Sequence, residues 1–426
     1  VTSATHSAID AVWRIESARI VAGLARMTRD VGLAEELAQE ALLAALEKWP
    51  GSGVPDNPGA WLMAAAKNRA LDHFRHSKMV ETKHEEIVRE ADEGFIPDFD
   101  AALEDDIGDD LLRLIFAACH PVLSTEARAA LTLRLLGGLT TDEIARAFLV
   151  PERTIAQRIV RAKRTLAEAR VPFEVPHGDE LAARLTSVLE VIYLVFNEGY
   201  SATAGDDWMR SALCEDALRL SRILAELAPE EPEVHGLVAL MEIQASRFRA
   251  RTGPSGEPIL LMDQNRTGWD HLLVRRGLAA LARAEELTRA QSGALGPYTL
   301  QAAIAACHAR ARTSAETDWK RIVALYDGLA QLAPSPVVEL NRAVAVAMAY
   351  GPEEGLALVD AIAVEPALRG YHLLPSVRGD FLVKLGRFDE ARGEFERAAS
   401  LTRNTREIRL LLDRAAALHP GLRVVK

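Results

Sequence analysis

The chain has 426 residues, 49% of them hydrophobic and 5% aromatic, which is enough apolar material for two to four domains with real cores. Its net charge of −11 excludes a surface that is cationic throughout, so any nucleic-acid contact must be confined to a local basic segment. No run of eighteen apolar residues occurs and no basic-then-apolar leader opens the sequence, so no membrane partner is expected.

Helical periodicity begins at once. Asp10 to Arg29 reads as one helix and Leu33 to Lys48 as a second. The second gathers Leu37, Ala41, Leu42, Ala45 and Leu46 on one face and leaves Glu36, Gln39, Glu40 and Glu47 elsewhere. Gly and Pro punctuate residues 50–58, after which Asn57 is placed as N-cap and Pro58 as the first residue of a third helix. Its later turns crowd Lys67, Arg69, His73, Arg75, His76 and Lys78 beside Trp61, Asn68, Asp72 and Phe74. Residues 8–78 are expected to form one small helical domain.

Residues 79–110 hold thirteen acidic and two basic side chains and read as a self-repelling tether. Residues 111–170 reverse the sign, with ten basic against five acidic. Within them, Leu135 to Leu166 has the grammar of a helix-turn-helix. Thr140 and Thr141 offer an N-cap, Asp142 and Glu143 suit the first turn, and Ile144, Ala145 and Phe148 form a short apolar stripe. Leu149 and Val150 make the turn and Pro151 opens the next helix. That helix sets an inward stripe of Ile155, Ile159, Ala162 and Leu166 against outward Arg153, Thr154, Gln157, Arg158 and Arg161. Cationic and amide side chains on one face are what reading a major groove requires. A plain helical hairpin with a solvated basic face carries the same pattern.

The pairing of AEELAQEALLAALEKW with AWLMAAAKNRALDHFRH, followed by the acidic stretch and the helix-turn-helix, resembles the extracytoplasmic-function (ECF) group of the sigma-70 family over residues 8 to 170. The resemblance implies that the first block docks on the clamp helices of core RNA polymerase, through Glu36, Leu37, Gln39 and Glu40. It implies that the third helix melts and reads the minus-ten promoter element through Asn68, Arg69, Asp72 and Arg75. Residues 111–170, the part matching the minus-thirty-five-reading domain, would present Arg153, Thr154, Gln157, Arg158 and Arg161 to promoter DNA. The polymerase clamp helices and flap, and promoter DNA, are the implied partners. Gln157 departs from the small Ser common at its position, so family promoter preferences do not transfer.

Val171 to Pro176 (VPFEVP) is read as a junction, and residues 177–426 as an all-α repeat domain. Pro229 and Pro334 sit in matching helix-Pro-helix layouts, about three tetratricopeptide periods apart. The clearest repeat is Val377 to Leu401, where Leu385, Gly386, Phe388, Ala391, Phe395 and Ala398 fit the consensus. The whole chain resembles sigma factors with a tetratricopeptide-like extension, which implies control by the attached domain.

Two stretches break the apolar regularity: Val195 to Trp208, with Asn197 and Glu198, and Leu261 to Asp270, with Asp263, Gln264, Arg266, Trp269 and Asp270. They read either as a ligand or docking patch or as loops with capping side chains. Ala-Ala-Cys-His occurs twice, ending at His120 and His308, but adjacent helical residues diverge and no second pair has ligand spacing, so no metal is expected. Three scattered cysteines point to a reducing, cytoplasmic setting. No nucleophile with its base, phosphate loop or cofactor signature is found, so neither a cofactor nor enzymatic chemistry is expected. The reading is a sigma factor governed by its helical extension; a stand-alone helix-turn-helix regulator with a sensing repeat domain is the alternative.

Overall fold

The computed structural model describes residues 2–85, 107–148, 150–176, 179–201, 204–205, 209–254 and 256–418. The elements of the described chain are helices apart from one two-residue parallel strand pair and an isolated antiparallel bridge between Thr252 and Pro258, and the chain divides into two compact units, residues 1–194 and 195–426.

In the first unit, α1 (Thr2–Thr28), α2 (Val31–Ser52) and α3 (Pro58–Glu85) pack on one another. The two turns between them are closed by side chains. Asp30 Oδ1 accepts from the Gly32 and Leu33 N–H groups at the start of α2, and Asn57 Oδ1 accepts from the Ala60 N–H at the start of α3. Ile20, Leu24, Leu37, Trp49 and Leu62 are buried between them. The Trp49 and Trp61 rings meet edge to face, 5.3 Å between centroids.

A second group follows: α4 (Ile107–Ala118), α5 (Thr125–Leu135), α6 (Thr141–Phe148) and α7 (Glu152–Glu168). The prediction for Ile155, Ile159, Ala162 and Leu166 holds: these are the buried residues of α7. Most of the acidic stretch 79–110 lies outside the described residues.

The expected junction at VPFEVP does not mark the end of the first unit. α8 (Asp179–Tyr200) begins beyond it, and as far as Leu194 it belongs with α4 and α5. Arg184 donates to the Phe116 carbonyl at 2.9 Å and Ser187 to the Cys119 carbonyl at 2.8 Å, capping the open end of α4. Two prolines interrupt the backbone hydrogen bonding there without interrupting the packing.

The second unit holds the last turn and a half of α8, then α9 (Ser211–Leu227), α10 (Pro232–Ala245), α11 (His271–Ala290), α12 (Pro297–Arg310), α13 (Trp319–Leu332), α14 (Pro336–Tyr350), α15 (Pro352–Ile362), α16 (Leu373–Lys384), α17 (Phe388–Leu401) and α18 (Thr405–Ala417). Most pack chiefly on their neighbours in sequence, as in a helical array, whereas α12 packs more broadly on α10 than on α11. Pro232, Pro297, Pro336 and Pro352 each open a helix, where the missing N–H costs nothing. Pro229 and Pro334 both fall in the turn between paired helices. In the α16–α17 pair, Phe381, Ala391, Phe395 and Ala398 are buried, and Gly386 takes the left-handed turn at φ +75°. Helix crossings in this unit are closed over glycine, among them those at Gly236, where a Cβ would lie 2.4 Å from Thr299 Oγ1, and at Gly379, where one would lie 2.7 Å from the Phe395 ring. The bridge pairs β1 (Ala204–Gly205) with β2 (Arg403–Asn404).

Candidate nucleic-acid interface

The α6–α7 corner is fixed by a reciprocal cap. The Thr140 N–H donates to Glu143 Oε2 at 2.8 Å, and the Glu143 N–H donates to Thr140 Oγ1 at 3.1 Å. Burial opposes ionisation of Glu143, but the Thr140 bonds and the Arg14 guanidinium outweigh it and hold the carboxyl below the ordinary range. With α6 seated this way, the apolar stripe of α7 turns inward and the opposite face is left to solvent.

That outward face carries Arg153, Gln157, Arg161 and Arg164, all exposed, with Thr154 and Arg158 half-buried along one flank. Sequence reasoning missed Val160, which is 64% exposed among these polar side chains. An exposed β-branched residue on a helix gains nothing from packing, and its methyls suit the C5-methyl of thymine. The signal was present in the phase of the helix, since Val160 lies three residues beyond Gln157.

On α3, Asn68, Asp72 and Arg75 are exposed, and Asp72 and Arg75 pair with each other at 3.4 Å. Arg69 is half-buried and reaches Glu40 of α2 at 2.9 Å. Glu36 and Glu40 are exposed, while Gln39 is half-buried and donates to Glu35. Leu37 corrects the expectation. It is 3% exposed, inside the three-helix core, and cannot meet a partner. The exposed leucine of α2 is Leu43, at 57%, on the same helical face as Glu36, Glu40 and Glu47.

The predicted patch of the second unit is partly structural. Asn197 and Glu198 lie within α8 rather than in a loop, and Glu198 pairs with Arg210 at 2.5 Å. Asp206, Asp207 and Trp208 lie outside the described residues. Arg266 is buried and donates to the carbonyls of His308 (2.7 Å) and Ala311 (2.9 Å), closing the end of α12. Gln264 is likewise buried and donates to the Ile259 carbonyl. Asp270 caps α11, whereas Asp263 is exposed. Trp269 is buried between the Arg247 and Arg266 guanidinium groups, 5.6 and 5.5 Å from its ring centroid. In front of Trp269 is a cavity of about 540 Å³, also lined by Arg249, Ile259, Asn265, Thr267 and Asp270.

The three thiols are buried. Burial pushes Cys119 up to about 11 and Cys214 up to about 12, and raises Cys307 as well. His308 is driven down to about 4 by burial and by the cationic Arg247 and Arg266. Among the described residues no cluster of three or more His, Cys, Asp or Glu side chains is placed to hold a metal. Nor is any of their helices long and apolar enough to cross a membrane.

Residues 15–79 match sigma-70 region 2, residues 113–166 match sigma-70 region 4, and residues 184–285 match a family of unknown function (DUF6596). The chain is 44% identical over 403 residues to the uncharacterized protein R00370 of Rhizobium meliloti, covering 92% of each. It is 30% identical over 142 residues to the ECF RNA polymerase sigma factor SigL of Mycobacterium tuberculosis, covering 33% of this chain and 76% of SigL. Against the probable ECF sigma factor SigI of the same organism it is 28% identical over 167 residues, or 39% of this chain and 57% of SigI. Two sigma-70 regions in order, each folded with its helices intact, place the chain: it belongs to the extracytoplasmic-function group of the sigma-70 family and carries a helical extension beyond the sigma regions.

Proposed function

We propose that the protein binds core RNA polymerase, directs it to a defined set of promoters, and is controlled by its own C-terminal helical array. The α7 face carries this reading: its apolar residues are used up in seating the helix, leaving Arg153, Gln157, Val160 and Arg161 exposed to enter a major groove at the minus-thirty-five element. Residues 111–170 form the functional domain that does so and contact the polymerase flap. Residues 8–78 supply the rest. On α2, Glu36, Glu40 and Leu43 meet the polymerase clamp helices, an apolar anchor between charges. On α3, Asn68, Arg69, Asp72 and Arg75 face the minus-ten element. Residues 79–110 span between the two domains.

The helical array of the second unit, from residue 195 onward, is read as tetratricopeptide-like and regulatory. Its effector site is the cavity before Trp269, where Arg249 and Asp270 supply opposite charges and Ile259 an apolar wall. A small ligand or a peptide side chain fits these dimensions.

The test is in vitro transcription with purified bacterial core polymerase on a genomic promoter library. Initiation by the full chain at promoters that core enzyme ignores is the expected result, and Arg249→Glu should change its level without changing which promoters are used. DNA binding without polymerase binding or initiation would instead support the stand-alone regulator.

A further inference from the structure

The side-chain carbonyl and carboxylate that line the cavity before Trp269 are engaged, whereas its donors are not. Asn265 Oδ1 accepts from the Thr267 N–H at 3.1 Å and from the Thr267 hydroxyl at 2.8 Å. A backbone N–H can only donate, which fixes the oxygen end of this amide and leaves its NH2 group unengaged. Asp270 Oδ1 accepts from the Leu272 and Leu273 N–H groups at 2.9 and 3.1 Å. The first turn of α11 therefore answers the one carboxylate among the described lining residues. Trp269 is 4% exposed, yet its indole N–H has no acceptor. Arg249, also in the lining, is exposed and pairs with no carboxylate among the described residues.

Two more cations lie over the Trp269 ring, and neither meets a carboxylate among the described residues. Arg247 donates to the Tyr200 hydroxyl, and Arg266 to the His308 and Ala311 carbonyls and the Thr317 hydroxyl. The Nε of each is buried and unpartnered. Burial first, and then the Arg247 charge, hold the Arg266 guanidinium below its ordinary range. Three guanidinium groups thus gather at one indole, against a single carboxylate already committed to a helix end.

We propose that this cavity takes a small organic anion, its carboxylate or phosphate oxygens met by the unengaged donors of Arg249, Asn265 and Trp269 and its apolar body laid against Ile259; this rests on the reading of the cavity as the effector site. A guanidinium holds an oxyanion more strongly than neutral donors hold a neutral oxygen. A neutral molecule would leave the cations unbalanced, and a cationic one would be repelled by them. The volume of about 540 Å³ has room for a flat apolar body behind the charged head.

The test is isothermal titration calorimetry of the full chain with benzoate and phenyl phosphate, which carry the two oxyanions on the same ring. Benzamide and benzamidine serve as the neutral and cationic counterparts. At least one anion should bind, about tenfold or more tighter than benzamide, and benzamidine should give no heat. The tighter of the two anions tells carboxylate from phosphate. Arg249→Gln, at an exposed position, should weaken that anion about tenfold without altering the thermal melt. Trp269→Phe keeps a ring, removes the N–H and should weaken it several-fold. No heat from either anion, benzamide bound as tightly, or wild-type affinity in Arg249→Gln would overturn the anion site. Anion binding that leaves initiation by the full chain unchanged would keep the site and remove its effector role. Normal initiation by a chain that binds neither anion would overturn the anion site and leave the sigma-factor reading intact.

Discussion

Glu40 and Arg69 are paired at 2.9 Å, so the helix assigned to polymerase and the helix assigned to promoter share a side-chain contact. Both groups are partly exposed, at 50% and 39%, which limits the pair's worth to at most about 1 kcal/mol. Arg69→Ala is expected to leave urea unfolding nearly unchanged. It should weaken both polymerase affinity and open-complex formation, measured by titration with labelled core enzyme and by permanganate footprinting.

Leu37 and Leu43 separate folding from docking. Leu37→Ala removes a buried side chain from the three-helix core and should cost about 2–5 kcal/mol in denaturant unfolding. Leu43→Ala removes an exposed one and should shift stability by less than about 0.5 kcal/mol while reducing polymerase binding several-fold. Equal loss of polymerase binding at matched folded fractions would count against the assigned face.

These two leucines also show what the sequence discloses. α7 was legible because its four inward residues recur at a strict helical period, Pro151 marks its start, and the cap of α6 before it is explicit in Thr140 and Glu143. α2 is apolar on more than half its circumference, so its pattern does not distinguish the buried Leu37 from the exposed Leu43; only the neighbours α1 and α3 decide. The burial of Glu35 was unreadable for the same reason, since its partners Arg134 and Lys163 are distant in sequence. The patch at 261–270 looked like a binding loop because Gln264 and Arg266 are polar. Arg266 is polar in order to satisfy carbonyls at the end of α12, and Gln264 to satisfy the loop carbonyl of Ile259.

Base reading is expected to reside in Arg153 and Gln157. Replacing either by Ala should cost about 1–3 kcal/mol at the cognate promoter and relax preference at one base pair, read by binding to a randomised library. Val160→Ala should remove discrimination between thymine and uracil at one position, since only the methyl differs. A profile unchanged at every position would refute the assignment of this face.

The His308 ring sets an acid limit on the second unit. Its pKa falls from the ordinary 6.5 to about 4 on folding, so between those values the unfolded chain binds a proton that the folded ring refuses. Stability from this group is fully present above pH 6.5 and declines as pH drops toward 4, by about 3 kcal/mol in all. Urea unfolding followed by array fluorescence across pH 4–7 should show that slope, and His308→Gln should flatten it.

Where the chain is cut matters to any truncation. A protein ending at Arg170 loses Arg184 and Ser187, leaving the carbonyls of Phe116 and Cys119 without their donors. It should be less stable than one ending at Tyr200 by roughly 3 kcal/mol or more, from lost hydrogen bonds and lost burial of Val188 and Ile192. Thermal melts of the two truncations make the comparison, and equal midpoints would contradict it.

The glycine-closed crossings of the array constrain its descent. Every one of the other nineteen amino acids carries a Cβ, and at Gly236 and Gly379 that atom has no space beside Thr299 and Phe395. Neutral drift therefore has no first step at these codons. A lineage that changed them would need a second, compensating change in the facing helix before the first could be tolerated, so the two seams should evolve in pairs or remain as they are.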